Sequence, residues 1–88
     1  MEVEFTDKTI LPIKSFSYDS LIDSLFINTY CNDFNSLINL FSSKEKINKI
    51  VIKNDDGTIS QYNEYKNFKQ FCGIFEEGKF LVSVVLSK

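Results

Sequence analysis

Arginine, histidine, tryptophan and alanine are all absent from the 88 residues, and the first two absences narrow the chemistry most. Histidine is the commonest general base near neutral pH, and arginine is the planar clamp for phosphate and carboxylate. Without them, acid–base or phosphoryl-transfer chemistry would rest on carboxylates and lysines alone. Cysteine is scarce too. Cys31 and Cys72 form no CxxC pair, which excludes a metal ribbon or a redox motif, and neither has a histidine to activate it. None of the ten serines stands in a GxSxG elbow. The three glycines, Gly57, Gly73 and Gly78, are scattered, so no phosphate-cradling loop exists. The expectation is a non-enzymatic protein with no cofactor and no metal, its two thiols reduced.

Long apolar runs are missing as well. No window approaches the roughly 20 residues of a membrane-spanning helix. The opening Met1-Glu2-Val3-Glu4-Phe5 carries acids where a signal peptide wants a basic flank and an apolar run. The chain is therefore expected in the cytoplasm, without membrane contact. A formal net charge of −2 gives no broad attraction to nucleic acid and disfavours direct binding to it.

What is present suffices for a core. Hydrophobic residues make up 43% of the chain and charged residues 25%, with nine Phe and ten Ile among them, which predicts one globular domain over residues 1–88. Val3 and Phe5 alternate with acids as in a half-buried strand, and Asp7-Lys8-Thr9 reads as a turn. A second strand from Ile10 to Phe16 must accommodate Pro12, which cannot donate to a ladder and so belongs at an edge or a strand start. Leu21, Ile22, Leu25 and Phe26 would suit one face of a helix, whereas Leu25 to Tyr30 is rich in strand formers and is read here as a strand. Phe34, Leu37, Ile38 and Phe41 fall at i, i+3, i+4 and i+7 behind a capping Asp33, the pattern of a helix over about residues 33–43 with all four pointing into the core.

Beyond it, Ile50-Val51-Ile52 and Thr58 to Tyr62 flank the hairpin loop Asn54-Asp55-Asp56-Gly57. That loop has Ile52 and Asn63 where a calcium loop needs carboxylates, so a turn is the better account. A longer strand region runs from Tyr65 to Phe75, and Phe80 to Leu86 is the strongest strand in the chain. The predicted fold is α+β: one curved, mainly antiparallel sheet of about six to seven strands with a single helix packed on one face.

One helix covers one face of such a sheet. The last strand puts Phe80, Val82, Val84 and Leu86 on one side and Leu81, Ser83 and Val85 on the other, so both sides are largely apolar. Alternation in the preceding region sets Tyr62 and Phe68 against Tyr65 and Phe71. The sequence therefore nominates Tyr62, Tyr65, Phe68, Leu81 and Val85 as a partner-binding surface, with docking onto another protein or a homodimer as its uses. Stacking of single-stranded nucleic acid on Tyr62, Tyr65 and Phe68 beside Lys66 and Lys69 is the weaker use of the same residues. Asp19, Asp23, Asp33, Glu76 and Glu77 are read as a solvated face or an acidic patch.

The lack of Ala and Arg, with abundant Phe, Tyr, Asn, Ile and Lys, matches AT-rich coding. Met1 to Thr9, the helix with Leu37 and Leu40-Phe41-Ser42, and Ile50-Val51-Ile52 through Asp56-Gly57 to Tyr62 and Tyr65 resemble small uncharacterised proteins of low-GC bacterial phages and prophages. The resemblance implies a non-enzymatic protein in the host cytoplasm that binds another protein. Its first version is an inhibitor of a host defence complex, as anti-CRISPR proteins are, and its second a small virion or tail component. A small enzyme or metal-binding protein is the alternative from another class, to be revived only by an ion or cofactor in the purified protein.

Overall fold

The computed structural model describes the backbone of residues 1–88 and every side chain except those of residues 70–74 and 76. In chain order the elements are β1 (Glu2–Glu4), β2 (Ile10–Pro12), β3 (Ser15–Asp19), β4 (Ser24–Cys31), α1 (Phe34–Ser42), β5 (Lys49–Lys53), β6 (Ile59–Asn63), β7 (Asn67–Glu76) and β8 (Lys79–Ser87). The fold is α+β with one helix. In place of a single curved sheet of six to seven strands there are two antiparallel sheets of four, ordered β2-β1-β5-β6 and β3-β4-β8-β7.

The division has a local cause at two bends. Ile13 N donates to Met1 O (3.0 Å) in the first sheet, whereas Lys14 N donates to Asn28 O (2.8 Å) in the second. The expected strand from Ile10 to Phe16 thus exists as two pieces that change sheets between residues 13 and 14, immediately after Pro12, whose ring supplies no donor. At the other bend Glu64, in the left-handed region at φ 69, still donates from its N to Asn48 O (2.9 Å). By Asn67 the chain is paired with Ser87 in the second sheet. The β2–β3 and β6–β7 connections thus each carry the chain from an edge of the first sheet to an edge of the second, as corners at which the chain switches sheets.

The core lies between the sheets. Val3, Ile50 and Ile52 come from the first, Leu25, Ile27, Val82, Val84 and Leu86 from the second, and Leu37 and Phe41 from α1, all in one buried cluster. Asp33 caps the helix by accepting from Asn35 N (3.0 Å) and Ser36 Oγ (2.9 Å). Phe41 meets Phe5 edge to face at 5.4 Å, and Phe34 stacks on Phe80 at 4.6 Å. Ile38, expected inside, is 38% exposed. Leu37 and Phe41 set the middle of the buried stripe, so Phe34 and Leu40 flank it and Ile38 falls beyond its margin. The Asn54–Gly57 segment is a tight turn, with Gly57 at φ 88 and Asp56 accepting from Thr58 N (2.9 Å). No helix among the described residues is long and apolar enough to cross a membrane.

Candidate docking surface

The outer face of the second sheet follows from the alternation of its strands. Val82, Val84 and Leu86 are buried, which turns Leu81, Ser83 and Val85 outward, and on β4 the outward set is Phe26, Asn28 and Tyr30. Register pairs Phe26 with Val85, Asn28 with Ser83 and Tyr30 with Leu81. The middle rung is a polar chain in which Asn28 Nδ2 donates to Ser15 Oγ (2.8 Å) and Ser83 Oγ donates to Asn28 Oδ1 (2.6 Å). This rung separates an apolar Phe26–Val85 rung from the Tyr30–Leu81 rung, where Lys14 Nζ sits 5.4 Å from the Tyr30 ring centre. Leu81 and Val85 therefore share one face, each half-buried by its neighbours.

Tyr62, Tyr65 and Phe68 lie elsewhere. The left-handed Glu64 interrupts the alternation, so all three turn toward the core side. Phe68 pairs with Leu86 and packs on the core, and Tyr65 is only 5% exposed. Tyr62 bridges the two sheets, 5.4 Å from the Phe16 ring, 5.9 Å from Tyr18 and 6.0 Å from Tyr65. In this packing Tyr65 offers no free ring face for a nucleobase. The expectations for Phe71, Cys72 and Glu76 lie outside the described side chains.

A second feature is built at the tip of the β3–β4 hairpin, residues 20–23. Asp23 has φ 47, a left-handed conformation that Asp tolerates better than most residues because its short side chain bonds locally. Its Oδ1 accepts from both Tyr18 OH (2.8 Å) and Tyr65 OH (2.5 Å). Lys88 Nζ lies 3.9 Å from Oδ2 and 5.0 Å from the Tyr65 ring centre. On the other side of the turn Asp19 Oδ1 accepts from Leu21 N (2.9 Å), while next to Asp23 the Ser24 Oγ donates to Ile22 O (3.1 Å).

The electrostatics follow from these bonds. The Tyr65 hydroxyl, then that of Tyr18, holds the Asp23 carboxyl below the usual carboxylate range. The carboxylate in turn pushes both hydroxyls above the usual tyrosine value. Near neutral pH this leaves one ionised acceptor and two protonated donors already bonded together, an arrangement suited to fastening a turn and poorly suited to moving protons.

What the fastened turn presents is apolar: Leu21 is 94% exposed and Ile22 59%. Pattern reading missed this pair because both residues also fit the face of a helix with Leu25 and Phe26. The turn formers Asp19, Ser20, Asp23 and Ser24 that bracket them are the signal that could have identified it. The acids considered as one patch have separate local duties here, since Asp19 and Asp23 fasten this turn while Asp33 caps α1. No protein-family model, curated protein or solved structure matches the chain.

Proposed function

We propose that the chain is a non-enzymatic docking protein whose leading contact is the Leu21–Ile22 tip. Phe26 and Val85 form its shoulder, and Tyr30 and Leu81, beyond the polar rung, form the far end of the same face. The observation that carries this reading is the 94% exposure of Leu21 on a turn held from both sides by side-chain hydrogen bonds. Single exposed apolar residues are common on soluble proteins. Two adjacent ones on a braced turn are a different matter, because the ordering cost of binding has been met by folding.

The two settings implied by the resemblance travel with this proposal: inhibition of a host defence complex first, a place in a virion or tail second. Affinity capture from host lysate with the unaltered chain and with Leu21→Asp tests it. A protein retained by the first and lost with the second supports docking through the tip, and its identity as a defence-complex subunit or a virion protein assigns the setting. Equal capture by both chains refutes the tip as the contact.

A further inference from the structure

At the end of the β3–β4 hairpin away from its tip lies a groove of about 430 Å³ lined by Pro12, Ile13, Lys14, Thr29, Tyr30 and Lys79, a volume within the range of ligand sites. Its apolar surface comes from Pro12, Ile13 and the Tyr30 ring. Its charged groups are two lysines, and no acid is among the described residues that line it. The tip has the opposite character, an apolar pair with Asp19 and Asp23 beside it, where Asp23 Oδ1 accepts from Tyr18 and Tyr65 and Lys88 lies against Oδ2.

We infer that this groove receives the Leu21–Ile22 tip of a second copy of the chain, so that copies associate head to tail. The inference rests on the tip being a contact element and names its occupant by complementarity: apolar side chains into an apolar floor, carboxylates toward lysines. Tip and groove are separated by the length of β4, eight residues or about 23 Å at strand rise. They are different patches of one molecule, so the contact is heterologous and each added copy leaves one tip and one groove unfilled. Two side chains per contact bury far less than the roughly 1,000 Å² of a stable interface. The association is therefore weak, belongs to the range of about 10 μM to 1 mM, and loosens as salt screens the lysine–carboxylate attraction.

Sedimentation equilibrium across that range at low salt tests the proposal. The unaltered chain is expected to grow past a dimer with rising concentration. Leu21→Asp, which removes the tip, and the double variant Lys14→Glu with Lys79→Glu, which inverts the groove, should each stay monomeric while keeping an unaltered circular dichroism spectrum. An equimolar mixture of the two variants should stop at dimers, because only one good tip and one good groove remain. A monomeric unaltered chain at about 1 mM, a closed dimer, growth that survives in either variant, or variants that fail to pair would each overturn self-association. Capture of a host protein by the tip would stand or fall separately.

Discussion

On the docking proposed above, Leu21→Asp separates folding from binding. Fully burying a leucine is worth about 1.5–3 kcal/mol. With 94% of Leu21 exposed in the folded chain, only about 0.1–0.2 kcal/mol of that sum is at stake in folding. A new carboxylate beside Asp19 and Asp23 adds a repulsion that ordinary salt reduces. The variant should thus stay within about 0.5 kcal/mol of the parent in a urea melt, a shift of about 2–4 °C in Tm for a chain of this size. In a docked complex the full leucine term is lost and a carboxylate must be desolvated, so affinity should fall by at least about 10- to 150-fold. Titration against the captured partner reads the second number, and circular dichroism in urea reads the first. A variant that melts early would make the tip a structural element. One that folds normally and binds normally would refute the reasoning from exposure to function.

Phe41→Ala should destabilise the chain by about 3–5 kcal/mol, since the ring is fully buried against Phe5, whereas Ile38→Ala on the same helix should cost under about 1 kcal/mol; equal losses in denaturant melts would contradict the helix orientation. Stability should also fall at alkaline pH: the raised Tyr65 and Tyr18 values mean that their contribution is complete below the unfolded tyrosine value of about 10 and is lost as pH rises from there toward the folded values. Tyr65→Phe should flatten that limb more than Tyr18→Phe does, and an unchanged limb would count against the bonds to Asp23. On the acid side the lowered Asp23 value places its contribution above the unfolded carboxyl value of about 3.9, to be lost as pH falls through the folded one; Asp23→Asn should remove that part of the acid limb in pH-dependent melts.

Features carried by neighbouring residues were legible in the sequence. The Asp33 cap, the spacing of Phe34, Leu37 and Phe41, and the Asn54–Gly57 turn each depend on contacts a few residues apart. Alternation alone sufficed to place Leu81 and Val85 on one face. The division into two sheets was not legible, because it turns on Ile13 and Lys14 donating to different neighbours, and Pro12 announces an interruption without saying where the chain goes next. Alternation carried through Tyr62, Tyr65 and Phe68 failed for a related reason: Glu64 adopts a left-handed conformation usually left to glycine. The candidate site was harder still. Asp23 and Tyr65 stand 42 residues apart and Asn28 and Ser83 55 apart, and no local pattern pairs them. Even the exposure of Leu21 and Ile22 depends on their being a turn between strands, where their spacing fits a helix equally well.

The hairpin tip is completed by groups from the far side of the chain. Leu21 and Ile22 emerge early in synthesis, but Tyr65 and Lys88, which fix Asp23, come much later, and β8 must enter the middle of its sheet before β4 has both neighbours. Pairings of such long sequence separation form slowly. A nascent or partly unfolded copy would present the same two apolar residues on a loose loop, with the cost of ordering it still outstanding. On the docking proposed above, competence to bind is timed by β8, and the tip reports in a single contact that β4 and β8 have paired.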